Sequence, residues 1–180
     1  MLFALLLACV PDDVPGGKDS DTSTPDDSSN NQQDDSSNNQ QDDSDNNQTE
    51  QSLVGSWRSE GDNVAPLLQA SGVAWVDATF NANGSYTTQV GDTAGKNYNL
   101  AGSYTVDTST LPGTIIATQT SPFSATAEGI WEVDGNTLTY EVAQTSPDNG
   151  FTPPTPDGGF GSTKGTNVEE GVNIQKYVRQ

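Results

Sequence analysis

The 180-residue chain predicts an all-β fold, an eight-stranded antiparallel up-and-down barrel preceded by a disordered acidic linker. Three observations carry this expectation. After Leu53 apolar and polar residues alternate in short runs, the signature of strands with one buried face. Gly, Asn and Asp punctuate those runs as tight turns, and no stretch sustains a helical stripe. Between Val10 and Leu53 only Val14 is clearly apolar and no aromatic occurs, which is too little buried surface to offset the entropy of ordering a chain.

The strands follow in order. LVGSWRS (53 to 59) opens the domain, and a short helical turn around Pro66-Leu67-Leu68 separates it from VAWVDATF (73 to 80). Asn83-Gly84 turns the chain into SYTTQV (85 to 90), because both residues tolerate positive φ. YNLAGSYTVD (98 to 107) and GTIIATQ (113 to 119) come next. AEGIWEVD (127 to 134) and TLTYEVA (137 to 143) form a hairpin about Asp134-Gly135-Asn136. A Pro/Gly-rich loop from Ser146 to Gly165 is expected to be exposed, and GVNIQKYVR (171 to 179) closes the set. An antiparallel meander of this length removes its exposed edges by closing on itself.

Alternation assigns the faces. In the last hairpin Glu132 and Glu141 are expected to meet water, which turns Trp131, Val133, Leu138, Tyr140 and Val142 inward. Phe80, Tyr86, Tyr104 and Val106 join them as interior candidates. VAWVDATF presents either Trp75 with Asp77 or Val76 with Phe80. An eight-stranded barrel has room for its own side chains or for one small ligand, so two interiors stay open: one filled by its aromatics, and one holding a guest. Phe80, Tyr86, Tyr104, Trp131 and Tyr140 are the candidate ligand contacts.

Composition excludes several functions. Net charge is −19, with twelve acids against Lys18 in residues 10 to 52 and thirteen acids against five bases beyond. Such a surface repels polyanions, so no nucleic-acid partner is expected. The chain has no His, which removes the usual general base and the commonest metal ligand. No metal and no other cofactor is expected. Glu128 and Glu132 lie two apart on one strand, where the outer face accommodates both without a shared cleft, and no spacing marks an activated nucleophile. The expected role is therefore not enzymatic.

The single cysteine, Cys9, ends the apolar run Leu2 to Ala8 and cannot form an intramolecular disulfide. Leu6-Leu7-Ala8-Cys9 resembles the Leu-x-x-Cys lipobox of bacterial lipoproteins. That resemblance implies a leader over residues 1 to 9, cut before Cys9, with acyl chains on the cysteine as a membrane anchor. Val10 in the next position resembles lipoproteins released to the outer membrane, which places the chain in the bacterial cell envelope. No basic residue precedes Cys9 and the run is too short to span a bilayer, so the natural start is expected upstream. Residues 10 to 52 then form a spacer in which DDSSNNQQ occurs at 26 to 33, repeats at 34 to 41 and begins again at Asp42. The period has no apolar face, so it is a solvated tether with a reach of at least about 35 Å. Calcium capture by its Asp and Asn pairs is the lesser reading, because no glycine turn or bidentate Glu accompanies them.

Residues 53 to 180 carry a second resemblance. Gly55-Ser56-Trp57 is similar to the Gly-x-Trp opening of lipocalins. Gly102, Tyr104, Asp107, Gly129, Ile130, Trp131, Glu132, Asp134, Gly135 and Leu138 fall on the pattern of a family of uncharacterised lipocalin-like bacterial domains. Trp131 stands where that family has Tyr, and Lys176 is displaced from its terminal basic pair. The resemblance implies that Trp57 plugs one barrel end beneath Arg179, and it implies no settled activity. The expected function is a membrane-tethered, non-catalytic barrel for a small apolar or amphipathic ligand. The alternative is a structural or interaction module with a filled barrel, displayed on the acidic stalk, whose Phe151 and Phe160 anchor a partner or tuck back against the barrel.

Overall fold

The computed structural model describes residues 51–166 and 168–180, so the leader, Cys9 and nearly all of the acidic spacer lie outside the described residues. Eight antiparallel strands form a closed barrel in chain order. They are β1 (Gly55–Glu60), β2 (Val73–Phe80), β3 (Ser85–Asp92), β4 (Asn97–Asp107), β5 (Gly113–Ser121), β6 (Ala125–Asp134), β7 (Thr137–Ser146) and β8 (Gln175–Arg179). A 3-10 turn at Gly61–Asn63 and the short helix α1 (Pro66–Ala70) join β1 to β2. Pro66 stands in the first turn of α1, where its missing N–H costs nothing.

Closure comes from β1 pairing with β8, with Trp57 opposite Arg179 and Arg58 opposite Val178. The β6–β7 hairpin turns through Gly135 at φ 56°, and Gly84 supplies φ 80° between β2 and β3. The final strand is shorter than the alternation implies. Gly171 at φ 80° and a turn from Gly171 O to Ile174 N hold the first part of that run outside the sheet.

One end of the barrel is sealed. Trp57 is 1 % exposed, its Nε1 donates to Leu53 O at 2.8 Å, and the Arg179 guanidinium lies 4.2 Å over its ring. Arg179 also donates to Val54 O and Ser52 O, so it ties the entering chain to the last strand. Trp131 fills the neighbouring space, with Nε1 donating to Thr114 O at 3.1 Å. Replacing Arg179 with Gln removes the cation–π contact and both carbonyl bonds. It is expected to lower stability by about 1–2 kcal/mol, read as a lower urea midpoint with an unchanged slope.

On β2 the choice falls to Val76, Ala78 and Phe80 inward. Trp75 lies outside over Gly91, where any Cβ would overlap the indole. There it sits 5.0 Å beneath Arg58, which also makes a two-toothed bond to Asp77 at 2.9 and 2.8 Å.

Three expectations need correction. Val106 shares its face with the buried Ile115 but stands near the end of β4, where the wall stops, and it is 41 % exposed. Glu141 does not meet water: it points away from the barrel interior yet is only 1 % exposed. The reason is the third correction, because the segment after β7 is no free loop. It crosses the outer wall of β6 and β7, where Thr152 and Lys164 form a bridge and Pro154, Gly161 and Thr163 are buried, while Phe151 and Phe160 are half-buried.

Candidate functional site

The inward positions of the middle strands are uneven in size. Ala78 on β2, Ala117 on β5 and Ala125 and Ala127 on β6 face the interior with small side chains, opposite aromatics from β2, β3, β7 and β8. Small residues there leave the barrel incompletely filled. A cavity of about 110 Å³ results, away from the Trp57 end. Its floor is aromatic, with Phe80 at the centre of a cluster: the Tyr104 ring is edge-on at 5.1 Å, and Tyr86 and Tyr140 lie at 6.1 and 6.3 Å. Tyr177 meets Tyr140 edge-on at 6.2 Å. Ala65 and Leu68 from the α1 segment cover the other side.

Of the residues expected to contact a ligand, Phe80, Tyr86 and Tyr140 line this cavity. Tyr104 supports it from behind and spends its hydroxyl on Asn81 O at 2.8 Å. Trp131 belongs to the filled part of the core near the sealed end. The interior thus divides into a filled part and a hollow part.

The polar groups at the cavity were not singled out in the sequence. Gln119, Gln175, Tyr177 and Asn173 line it. Two of the amides fasten segments that cover the barrel end: Gln119 Nε2 donates to Phe123 O at 3.0 Å, and Gln175 Oε1 accepts from Ala65 N at 2.7 Å. A backbone N–H can only donate, so the Ala65 bond fixes which end of the Gln175 amide carries oxygen. Gln175 is 3 % exposed, and its buried Nε2 lies against the Tyr177 hydroxyl. The signal was available: counting back by twos from Arg179 puts Tyr177 and Gln175 on the inner face.

The cavity tyrosines are held neutral. Burial pushes Tyr86 up to about 12, and it raises Tyr140 and Tyr177 strongly. Tyr177 and Tyr86 further oppose ionisation of Tyr140, so the three phenols converge closely enough to feel each other's charge. Each therefore stays a hydroxyl that can donate. No charged side chain lines the cavity.

Two carboxylates on the outer wall, Glu141 and Glu128, are taken up by neighbouring donors. Glu141 accepts from Gly161 N at 2.5 Å, from Thr163 N at 3.0 Å and from Thr163 Oγ1 at 2.5 Å. Asn173 Nδ2 bridges Val142 O and Thr163 Oγ1 beside it. An acceptor so occupied clamps the strap of residues 147–174 to β7 and is not free to take a proton from a substrate. Glu128 accepts from Thr145 Oγ1 at 2.9 Å on the same outer wall. Among the described residues, no cluster of His, Cys, Asp and Glu could hold a metal ion. No family model, no curated protein and no solved structure matches the chain.

Proposed function

We propose that this chain is a bacterial lipoprotein whose lipocalin-like barrel, anchored through acylated Cys9 and held off an outer membrane by the acidic spacer, takes up a small apolar or amphipathic molecule without catalysis. One observation carries the reading: a barrel sealed at one end by Trp57 and Arg179 keeps an apolar cavity of about 110 Å³ in its remaining part. Tyr140 has a role consistent with this. It lies deep in the barrel yet keeps partial accessibility because it fronts empty space and not packed neighbours.

Native mass spectrometry of the full chain after exposure to an envelope extract tests the proposal. A retained small-molecule adduct is expected, and Ala117→Phe, which fills the hollow from a position 7 % exposed, should abolish it. An adduct that survives Ala117→Phe places binding elsewhere and defeats the reading. The anchor has its own readout: metabolic palmitate labelling should mark the chain and be lost in Cys9→Ser.

A second reading has one specific observation in its favour. The cavity is smaller than the roughly 300–1,000 Å³ usual for ligand pockets, which fits a structural or interaction module on an acidic stalk. That reading expects no adduct, and a partner lost when residues 151–160 are replaced by a Gly/Ser linker.

A further inference from the structure

The barrel wall has a gap beside the cavity. β8 pairs with β7 only from Thr137 to Tyr140 and with β1 only at Trp57 and Arg58, so the rest of β7, Glu141 to Ser146, has no β8 residue opposite it. Residues 171–174 fill that place as a turn, closed by Ile174 N donating to Gly171 O. Asn173 forms part of the cavity wall, and its Nδ2 donates to Val142 O at 2.7 Å and to Thr163 Oγ1 at 3.2 Å. Val172 O accepts from Leu67 N at 2.9 Å. The Thr163 hydroxyl that receives Asn173 is the one that donates to Glu141. Glu141 also holds Gly161, on which a Cβ would meet Gly171 N at 3.3 Å. An unbroken run of contacts therefore joins the clasp on the outer wall to the rim of the hollow.

Resting on the ligand-barrel reading above, we propose that residues 171–174 are a side door to the cavity, latched by Asn173 and released when the Glu141 clasp lets Gly161 and Thr163 go. Three observations carry this. The hollow of about 110 Å³ is smaller than the roughly 150 Å³ that admits benzene, so entry of a guest requires a wall that moves. Most lining residues are buried; among the half-buried ones, Val142 and Asn173 stand at the missing strand and Leu68 on the facing helix. The door is fastened to its surroundings by the Asn173 amide and the Val172 carbonyl, where a strand would have a ladder on both sides. Opening it therefore costs less than unfolding the barrel, and Gly171 at φ 80° supplies the hinge. Withdrawing Asn173 removes part of the cavity wall, so the same movement that admits a guest enlarges the space for it.

The test reads door opening by thiol labelling of the full chain carrying Cys9→Ser, in which an introduced cysteine is the sole thiol. Ala127→Cys puts the thiol on the cavity wall, and Val133→Cys puts it on the same strand within the filled core; both positions are buried. Methyl methanethiosulfonate, a small neutral reagent, is the probe. Asn173→Ala is expected to speed labelling after Ala127→Cys about tenfold and to leave labelling after Val133→Cys within about twofold. Thr163→Val removes the shared hydroxyl and keeps the branched shape. It is expected to act in the same direction, and it serves if Asn173→Ala does not fold. Rates that rise equally at both positions report global unfolding, and a rate after Ala127→Cys that ignores both variants reports another route or none. Either result overturns the door. An envelope adduct retained by the native chain and lost in Ala117→Phe, beside such a result, leaves the ligand barrel standing. Labelling that follows the variants while no adduct is found keeps the door and removes the ligand reading.

Discussion

Glu141→Ala should lower the unfolding free energy by about 4 kcal/mol, the largest single-residue effect outside the barrel's aromatic core. The carboxylate is 1 % exposed and satisfies two backbone N–H groups and a hydroxyl at Gly161 and Thr163. Truncation leaves those donors buried without partners, at about 1–3 kcal/mol each. The strap lies on the outer wall, so it can lift and let water reach them, which keeps the loss below the full sum. Glu141→Gln should fall between, because one amide oxygen still accepts while the amide nitrogen faces a donor. Urea midpoints measure the loss, and limited proteolysis between residues 151 and 163 should become fast in the Ala variant alone. A loss below about 1 kcal/mol with the strap still protected would show that the clasp contributes little.

The second large effect is alkaline. Tyr86 is pushed up to about 12, and burial raises Tyr140 and Tyr177 further, whereas in the unfolded chain all three return to the ordinary value near 10. A folded pKa above the unfolded one means the unfolded state loses its protons first. Stability from these groups is therefore complete below pH 10 and drains away as pH rises toward the folded values. With three phenols acting together the slope is about 4 kcal/mol per pH unit, so the barrel should unfold cooperatively between about pH 10.5 and 12. Tyrosinate absorbance and far-ultraviolet circular dichroism should change together. Tyr140→Phe should cut the slope by about a third. Gradual phenol titration around pH 10 with the fold intact would mean that the hydroxyls are solvated and the hollow is wet.

Much of the barrel was legible because strand alternation is a local code. Each of the eight strands observed overlaps a run of alternating residues, and the turns at Gly84 and Gly135 stand where Asn-Gly and Asp-Gly-Asn occur. The closing pair of Trp57 and Arg179 was legible through resemblance alone, since no local pattern relates residues so far apart; the structure stacks them at 4.2 Å. Trp75 was undecided because either face of VAWVDATF offers a large side chain. The partner strand settles it, since Gly91 is the residue small enough to lie beneath an indole.

The hollow was half legible. The aromatics alone left a filled and a guest-holding interior both open, yet the alanines at 78, 117, 125 and 127 occupy inward positions under the same period-two rule and mark where filling fails. Glu141 was misread for a different reason. Alternation states which side of a sheet a residue faces, and it is silent on what lies there. Facing outward means water only when no other segment covers the wall.

That the chain after Leu53 is β, where its strands and tight turns fall, that no histidine chemistry is available, and that the preceding acidic repeat has no apolar face to bury all follow from residue order alone. These depend on neighbours a few residues apart, whose propensities and spacing act locally. The strap that shields Glu141, the interior filled at one end and hollow beyond it, and the Gln175 amide that fastens the α1 segment at Ala65 come from the three-dimensional structure. Each of those depends on volumes and hydrogen-bond partners brought together from distant strands, and close packing in three dimensions fixes them only once the barrel has closed.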